Sequence, residues 1–108
     1  MIRRKPRVSL SMIVRDEEHN LDDCLRPIAD LFDEIVIVDT GSRDDTRSIA
    51  RQFTPHVHEF AWCDDFSAAR NESLARTTGD WIMWLDADDR IRSEHVIGLR
   101  RLFEELDD

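Results

Sequence analysis

The amino-acid sequence predicts an α/β fold three layers deep, with a mostly parallel four-stranded sheet lying between helices. Two patterns predict it. Four short apolar segments rich in β-branched or aromatic residues alternate with four helical periodicities, which is the signature of successive βαβ units. One of those segments, Ile35-Val36-Ile37-Val38, is apolar on both faces, as a central strand covered from both sides has to be. At 108 residues the chain is expected to make one domain, 1–108.

The first strand is read over Val8–Val14, and the helix after it carries Leu21, Cys24, Leu25 and Ile28 at i, i+3, i+4 and i+7. That stripe continues to Leu31 and Phe32, but Pro27 should kink or divide the helix because it lacks an N–H and crowds the preceding turn. The second strand is Glu34–Asp39. Its helix carries Thr46, Ile49, Ala50 and Phe53, opened by Ser42 with Asp45 three residues later in the manner of a capping box. A third strand over residues 56–60 puts His56 and His58 on one face, and a third helix runs from Phe66 to Arg76, closed by Thr77-Thr78-Gly79. The fourth strand, over 81–85, is read from Trp81-Ile82-Met83-Trp84-Leu85 as buried, and the fourth helix carries Val96, Leu99, Leu102, Phe103 and Leu106. Strands and helices in this order make a Rossmann-like sheet.

Composition excludes several classes of function. A net charge of −9, with Arg3-Arg4-Lys5 as the sole basic run, argues against a nucleic-acid partner, since phosphate backbones are held by clustered cations. No apolar stretch approaches the roughly 20 residues of a membrane span, and no signal-peptide core follows the basic start. Cys24 and Cys63 lack metal-ligand spacing and are expected to be reduced thiols, which places the chain in the cytoplasm.

In a doubly wound sheet, ligands gather beyond the carboxyl ends of the strands. Each strand here ends in acid: Asp16-Glu17-Glu18, Asp39, Asp64-Asp65, and Asp86-Ala87-Asp88-Asp89. Carboxylates crowded on one rim repel one another unless cations or hydrogen bonds offset them. A divalent ion held by Asp86 and Asp88 would do so, and hard carboxylate oxygens suit Mg²⁺ or Mn²⁺ completed by water and phosphate. An EF-hand loop starting at Asp86 is excluded, because Ile91 and Ile97 stand where Gly and Glu are required. Phosphoryl-transfer readings of a strand-end aspartate lack a lysine, since Lys5 is the only one. Arg70 lies on one helical stripe with Phe66 and Leu74 and needs an anion, either a strand-end aspartate or a substrate phosphate. Asp39 stands where many nucleotide-binding sheets place an acid for a base or ribose, although capping of the next helix explains it equally. Glu17 and Glu18 are favoured by the helix dipole, and Trp62, Trp81 and Trp84 are read as packing residues.

These residues also carry a resemblance. The run Ser11-Met12-Ile13-Val14-Arg15-Asp16-Glu17-Glu18-His19-Asn20-Leu21, then Asp33-Glu34-Ile35-Val36-Ile37-Val38-Asp39-Thr40-Gly41-Ser42, resembles the opening of family 2 glycosyltransferases. Trp62, Asp64-Asp65-Phe66, Ala69-Arg70-Asn71, Gly79-Asp80-Trp81-Ile82 and Leu85-Asp86-Ala87-Asp88-Asp89 continue it in order. The resemblance implies the nucleotide-sugar-binding half of a GT-A fold, acting in transfer of a sugar from a nucleoside-diphosphate sugar to an acceptor it leaves unspecified. It implies that Val14, Arg15, Glu17 and Asp39 line the nucleoside pocket and that Arg70 lies near the diphosphate. Asp86 and Asp88 would meet the ribose and the metal. The family's catalytic base lies after the D-x-D, so it is expected beyond Asp108, and a chain of this extent is expected to bind donor without completing transfer. Two positions depart from the pattern: Thr40 stands where a second base-reading Asp is common, and Arg15 where an aromatic residue often stacks. A second reading is a non-catalytic nucleotide-binding or interaction module with the same sheet.

Overall fold

A computed structural model describes residues 5–106. Strands β1 (Val8–Val14), β2 (Glu34–Asp39), β3 (Val57–Glu59) and β4 (Trp81–Trp84) alternate with helices α1 (Leu21–Leu25), α2 (Thr46–Arg51), α3 (Phe66–Arg76) and α4 (Ser93–Glu104). All strand pairs are parallel, in the order β3-β2-β1-β4. The expected α/β sheet is therefore present, and all four carboxyl ends reach one rim. β1 pairs with β2 from Ser9↔Glu34 to Val14↔Asp39 and with β4 from Val8↔Trp81 to Ser11↔Trp84. Continued past Trp84, that register brings 85–87 alongside the last residues of β1.

Alternation along the two central strands sorts their side chains to the two faces. Leu10, Met12, Val14, Ile35 and Ile37 face α1 and α2, burying Leu21, Cys24, Leu25, Ile28 and Ala50 in one cluster. Each fully buried Leu or Ile of this kind contributes about 1.5–3 kcal/mol. On the other face Ser9, Ser11, Val36 and Val38 meet α3 through the buried small residues Ala69 and Ser73. There the Ser11 and Ser73 hydroxyls are 2.6 Å apart, so the helix lies close on the sheet. α4 covers the first face beside a 3-10 turn, Ala29–Leu31, with Phe32 and Phe103 rings 5.5 Å apart.

Pro27 does divide the first helical stripe: α1 stops after five residues and the chain resumes in the 3-10 turn. Three other expectations need correction. The third strand is shorter than read, Val57–Glu59, with His56 exposed outside it. The capping box at Ser42 does not form: Ser42 Oγ accepts the Asp16 N–H at 2.9 Å, and Asp44 Oδ1 accepts the Thr46 N–H at 2.9 Å instead. Finally, β4 is not buried. It is an outer strand bonded to β1 alone, and Trp81, Ile82 and Trp84 remain 48%, 45% and 42% exposed. Apolarity reports on a strand's composition, whereas sheet order decides which strand has a neighbour on each side.

Where β4 starts is set by a polar clasp at the opposite rim. Glu34 accepts hydrogen bonds from Ser9 Oγ at 2.9 Å, the Thr78 N–H at 2.7 Å and Thr78 Oγ1 at 2.9 Å. Ser9 Oγ in turn accepts the Gly79 N–H at 2.9 Å. Gly79 lies so close that a Cβ there would stand 2.4 Å from Ser9 Oγ and 2.8 Å from the Ser9 nitrogen. Among the described residues, no helix is long and apolar enough to cross a membrane.

Candidate functional site

The loops at the carboxyl rim are laced together by backbone N–H groups. Asp16, with φ of +52°, accepts the Arg43 N–H at 2.7 Å, and Glu17 donates its own N–H to Thr46 Oγ1 at 2.8 Å. Asp44 accepts the Glu18 N–H at 3.2 Å, and Glu18 accepts that of Asp45 at 3.2 Å. Burial alone would raise the Asp44 carboxyl, but hydrogen bonds from Thr46 and Glu18 outweigh it and hold the group below the usual carboxylate range. Asp65 caps α3 through the N–H groups of Ser67 and Ala68 at 2.9 and 3.3 Å.

Of the two means of offsetting the crowded acids, hydrogen bonds already serve most of them. Asp86 and Asp88 are different. Both are exposed, and neither carboxylate takes a hydrogen bond or ion pair among the described residues. Between them Ala87 is buried at 4% exposure, so the backbone sends the middle residue into the core and its neighbours outward. The turn is braced from three sides. Asp89 closes it, donating its N–H to Asp86 O at 3.0 Å and accepting that of Asp86 at 2.9 Å. Arg90 ties Ala87 O at 3.1 Å to Asn20 Oδ1 at 2.9 Å. The Cys24 thiol donates to Asp86 O at 3.5 Å, and burial pushes its pKa up to about 11, so the sulfur is a neutral support.

Asp39 is fully buried, with Oδ1 accepting the N–H groups of Gly41 at 2.9 Å and Ser42 at 2.8 Å. Gly41 has φ of +117°, a conformation that favours glycine and lets both N–H groups turn back to one oxygen. Oδ2 of Asp39 is buried and has no hydrogen-bond partner among the described residues, while Arg47 Nη1 stands 4.0 Å from Oδ1. Asp39 thus braces the β2–α2 turn, and it is Thr40 that faces the cavity next to it.

That cavity, of about 270 Å³, is lined by Val14, Arg15, Glu17, Thr40, Trp62 and Phe66. Three residues expected at a ligand, Val14, Arg15 and Glu17, therefore meet there. Phe66 connects it to β4: its ring is 6.1 Å from that of Trp84. The Arg70 guanidinium lies over both, 3.1 Å from the Trp84 centroid and 5.2 Å from the Phe66 centroid. The ion pair with a strand-end aspartate is not made. Two aromatic rings hold the cation, leaving it without a carboxylate among the described residues.

The sequence reading treated Trp62, Phe66 and Thr40 as packing, spacing or departure, and each lines the cavity. Their signal was position: Thr40 directly follows β2, Trp62 lies three residues past β3, and Phe66 opens α3. A second hollow, of about 230 Å³, lies at the opposite rim among Asp33, Glu34 and His56. Its acids are engaged by Val8 and Thr78, and it lies away from the edge where ligands of such sheets collect.

An acidic turn, an aromatic-held arginine and a cavity at the carboxyl edge of a parallel sheet define a Rossmann-like α/β domain with its polar site on that edge. The chain belongs to glycosyl transferase family 2, whose model matches residues 9–108. It is 35% identical over 92 residues to the SPbeta prophage-derived glycosyltransferase SunS of Bacillus subtilis, covering 83% of this chain and 22% of that protein. It is 50% identical over 93 residues to a TPR repeat-containing protein of Synechococcus elongatus, covering 86% of this chain and 23% of that protein. The crystal structure of S. aureus TarS superposes with a TM-score of 0.73 at 23% identity, over 92% of this chain and 32% of that one, a likeness of fold. Glucosyl-3-phosphoglycerate synthase from Mycobacterium tuberculosis, in complex with Mn²⁺ and UDP-glucose, superposes at 0.67 with 26% identity, over 77% of this chain and 33% of that one. The chain spans under a quarter of the length of these curated relatives.

Proposed function

We propose that this chain is the donor-binding portion of a metal-dependent glycosyltransferase, holding a nucleoside-diphosphate sugar across its carboxyl rim. The observation that carries the reading is the contrast among the acids. Where Asp16, Asp44 and Asp65 are occupied by N–H groups, the Asp86 and Asp88 carboxylates take none among the described residues. Arg70, held over the ring of Trp84 at the end of the strand that leads into their turn, has no carboxylate partner among those residues either. Among the described residues, no three His, Cys, Asp or Glu side chains gather for a metal, so an ion caged by protein alone does not fit. Mg²⁺ or Mn²⁺ does fit, since either takes one or two carboxylates and fills its shell with water and phosphate oxygens.

In this reading the nucleoside enters the cavity at Val14, Arg15, Glu17 and Thr40, with Asp39 holding the turn beneath it. Asp86 lies toward the ribose, and Asp86 and Asp88 hold the metal. Arg70, fixed by Trp84 and Phe66, offers two parallel N–H donors to a phosphate. When bound, the ion would stabilise charge on the departing diphosphate. The likeness to a synthase solved with Mn²⁺ and UDP-glucose supports this choice of ligands. The acceptor and the catalytic base are assigned to other parts of a full-length enzyme. Two unpaired thiols, one buried and one exposed, suit a cytoplasmic place. Calorimetric titration with UDP, GDP and dTDP, with and without Mn²⁺, tests the proposal. Metal-dependent binding of one of them is expected, and binding of none overturns it.

A further inference from the structure

We infer that Trp62 is the surface on which the donor's base stacks, taking the place that Arg15 leaves without an aromatic ring. The inference rests on the nucleotide-sugar reading of the same rim and specifies one residue within it.

Three aromatic side chains stand near the cavity, and two are already engaged. Trp84 lies under the Arg70 guanidinium, and Phe66 is shared between Arg70 and Trp84. Trp62 is 40% exposed on the cavity wall, and among the described residues no ring or guanidinium covers its face. The ring is nonetheless fixed. Its Nε1–H donates to Asp64 Oδ1 at 3.0 Å, and Asp64 holds the left-handed backbone at φ +58° that an aspartate tolerates better than most residues. A large apolar ring left open and held by its polar edge suits a planar π-system, and stacking of this kind accepts any base.

The rest of the cavity lining matches a nucleoside. Arg15 and Glu17 bring a cation and a carboxylate, and Thr40 a hydroxyl-bearing side chain, to the lining of the same cavity as Trp62. At about 270 Å³ the space lies just below the usual ~300–1,000 Å³ of small-ligand sites, enough for a ring and part of its sugar. The diphosphate then runs past Phe66 toward Arg70 and the Asp86 turn. Asp64 is a positioning residue here, acting through the indole alone.

The test compares ligands with and without a base. Wild type, Trp62→Ala and Trp62→Phe of the 108-residue chain are titrated with UDP, GDP and dTDP in Mn²⁺, and separately with Mn²⁺ and inorganic pyrophosphate. Trp62→Ala is expected to weaken the preferred nucleotide by about 5- to 150-fold, with pyrophosphate unchanged and Trp62→Phe within a few-fold of wild type. Quenching of indole fluorescence on nucleotide binding should lose the share of Trp62 in Trp62→Phe although affinity persists, leaving only what Trp81 and Trp84 report, which a merely structural tryptophan would not produce. Wild type that binds a nucleotide while Trp62→Ala binds it equally overturns the inference and leaves the donor site standing. Equal loss of nucleotide and pyrophosphate in Trp62→Ala also overturns it, because the effect is then on the fold. Wild type that binds pyrophosphate but no nucleotide overturns the donor reading together with this inference.

Discussion

Replacing Gly79 by alanine should destabilise the chain, while the same change at Gly98 should stabilise it. At Gly79 a new Cβ would meet Ser9 Oγ at 2.4 Å, the Ser9 nitrogen at 2.8 Å and Arg7 O at 3.1 Å. The last two are backbone atoms in or beside β1, so the clash cannot be relieved by turning a side chain. Overpacking of this kind costs about 1–3 kcal/mol. Displacing Gly79 also breaks its N–H bond to Ser9 Oγ, adding about 1 kcal/mol. Together these give a loss of about 2–4 kcal/mol, or on the order of 10–20 °C in Tm for a domain of this size. Gly98, inside α4, has nothing within 4 Å of its Cβ direction, so alanine there should add about 0.5–1 kcal/mol from helix propensity alone. Urea unfolding followed by far-UV circular dichroism gives both values, provided the m-values agree. A midpoint for Gly79→Ala at or above wild type would refute the close approach of the α3–β4 connection to β1. Because Gly79 fixes where β4 begins, it also fixes where Asp86 arrives at the rim, and the same variant should weaken Mn²⁺-dependent nucleotide binding.

Three further outcomes can be checked. Asp86→Asn and Asp88→Asn should each reduce Mn²⁺-dependent nucleotide affinity by at least about tenfold, since even outer-shell changes cost 10–100-fold at metal sites, with the unfolding midpoint hardly moved. Trp84→Leu should weaken nucleotide binding by releasing Arg70, at a cost of about 0.5–2 kcal/mol for the lost cation–π contact, and Arg70→Ala in that background should add little further loss. Burial tends to raise the Glu34 carboxyl, but the hydrogen bonds from Thr78 and Ser9 outweigh it and hold it below its ordinary 4.5. The folded-state value is the lower one. Its contribution to stability is therefore present above about pH 4.5 and lost as pH falls through the folded value, so wild type should lose more stability than Glu34→Gln between pH 7 and pH 3.

Strand direction and the rim that collects the strand-end acids were legible in the sequence because they follow from local pattern and from the handedness of βαβ units. The apolar run 35–38 marked β2 as central, and the acids at each strand end marked the rim. Two kinds of information were not local. The exposure of Trp81, Ile82 and Trp84 depends on sheet order, which periodicity does not encode. The fate of each carboxylate depends on which N–H group a neighbouring loop presents, so Asp44 and Asp86 look alike in sequence and differ entirely in space. Arg70 shows the same limit. Its stripe with Phe66 predicted that it needed a partner, and the partner came from Trp84, fourteen residues away on another element.

The two thiols differ in a way that has a practical use. Cys24 is 2% exposed and its thiol is pushed up to about 11, so at neutral pH it resists alkylation. Cys63 is exposed and directly follows Trp62. A maleimide dye added to the unaltered chain should therefore attach at one place, within one residue of the indole on the cavity wall. Its emission would report ligand arrival there with no cysteine engineered in or out.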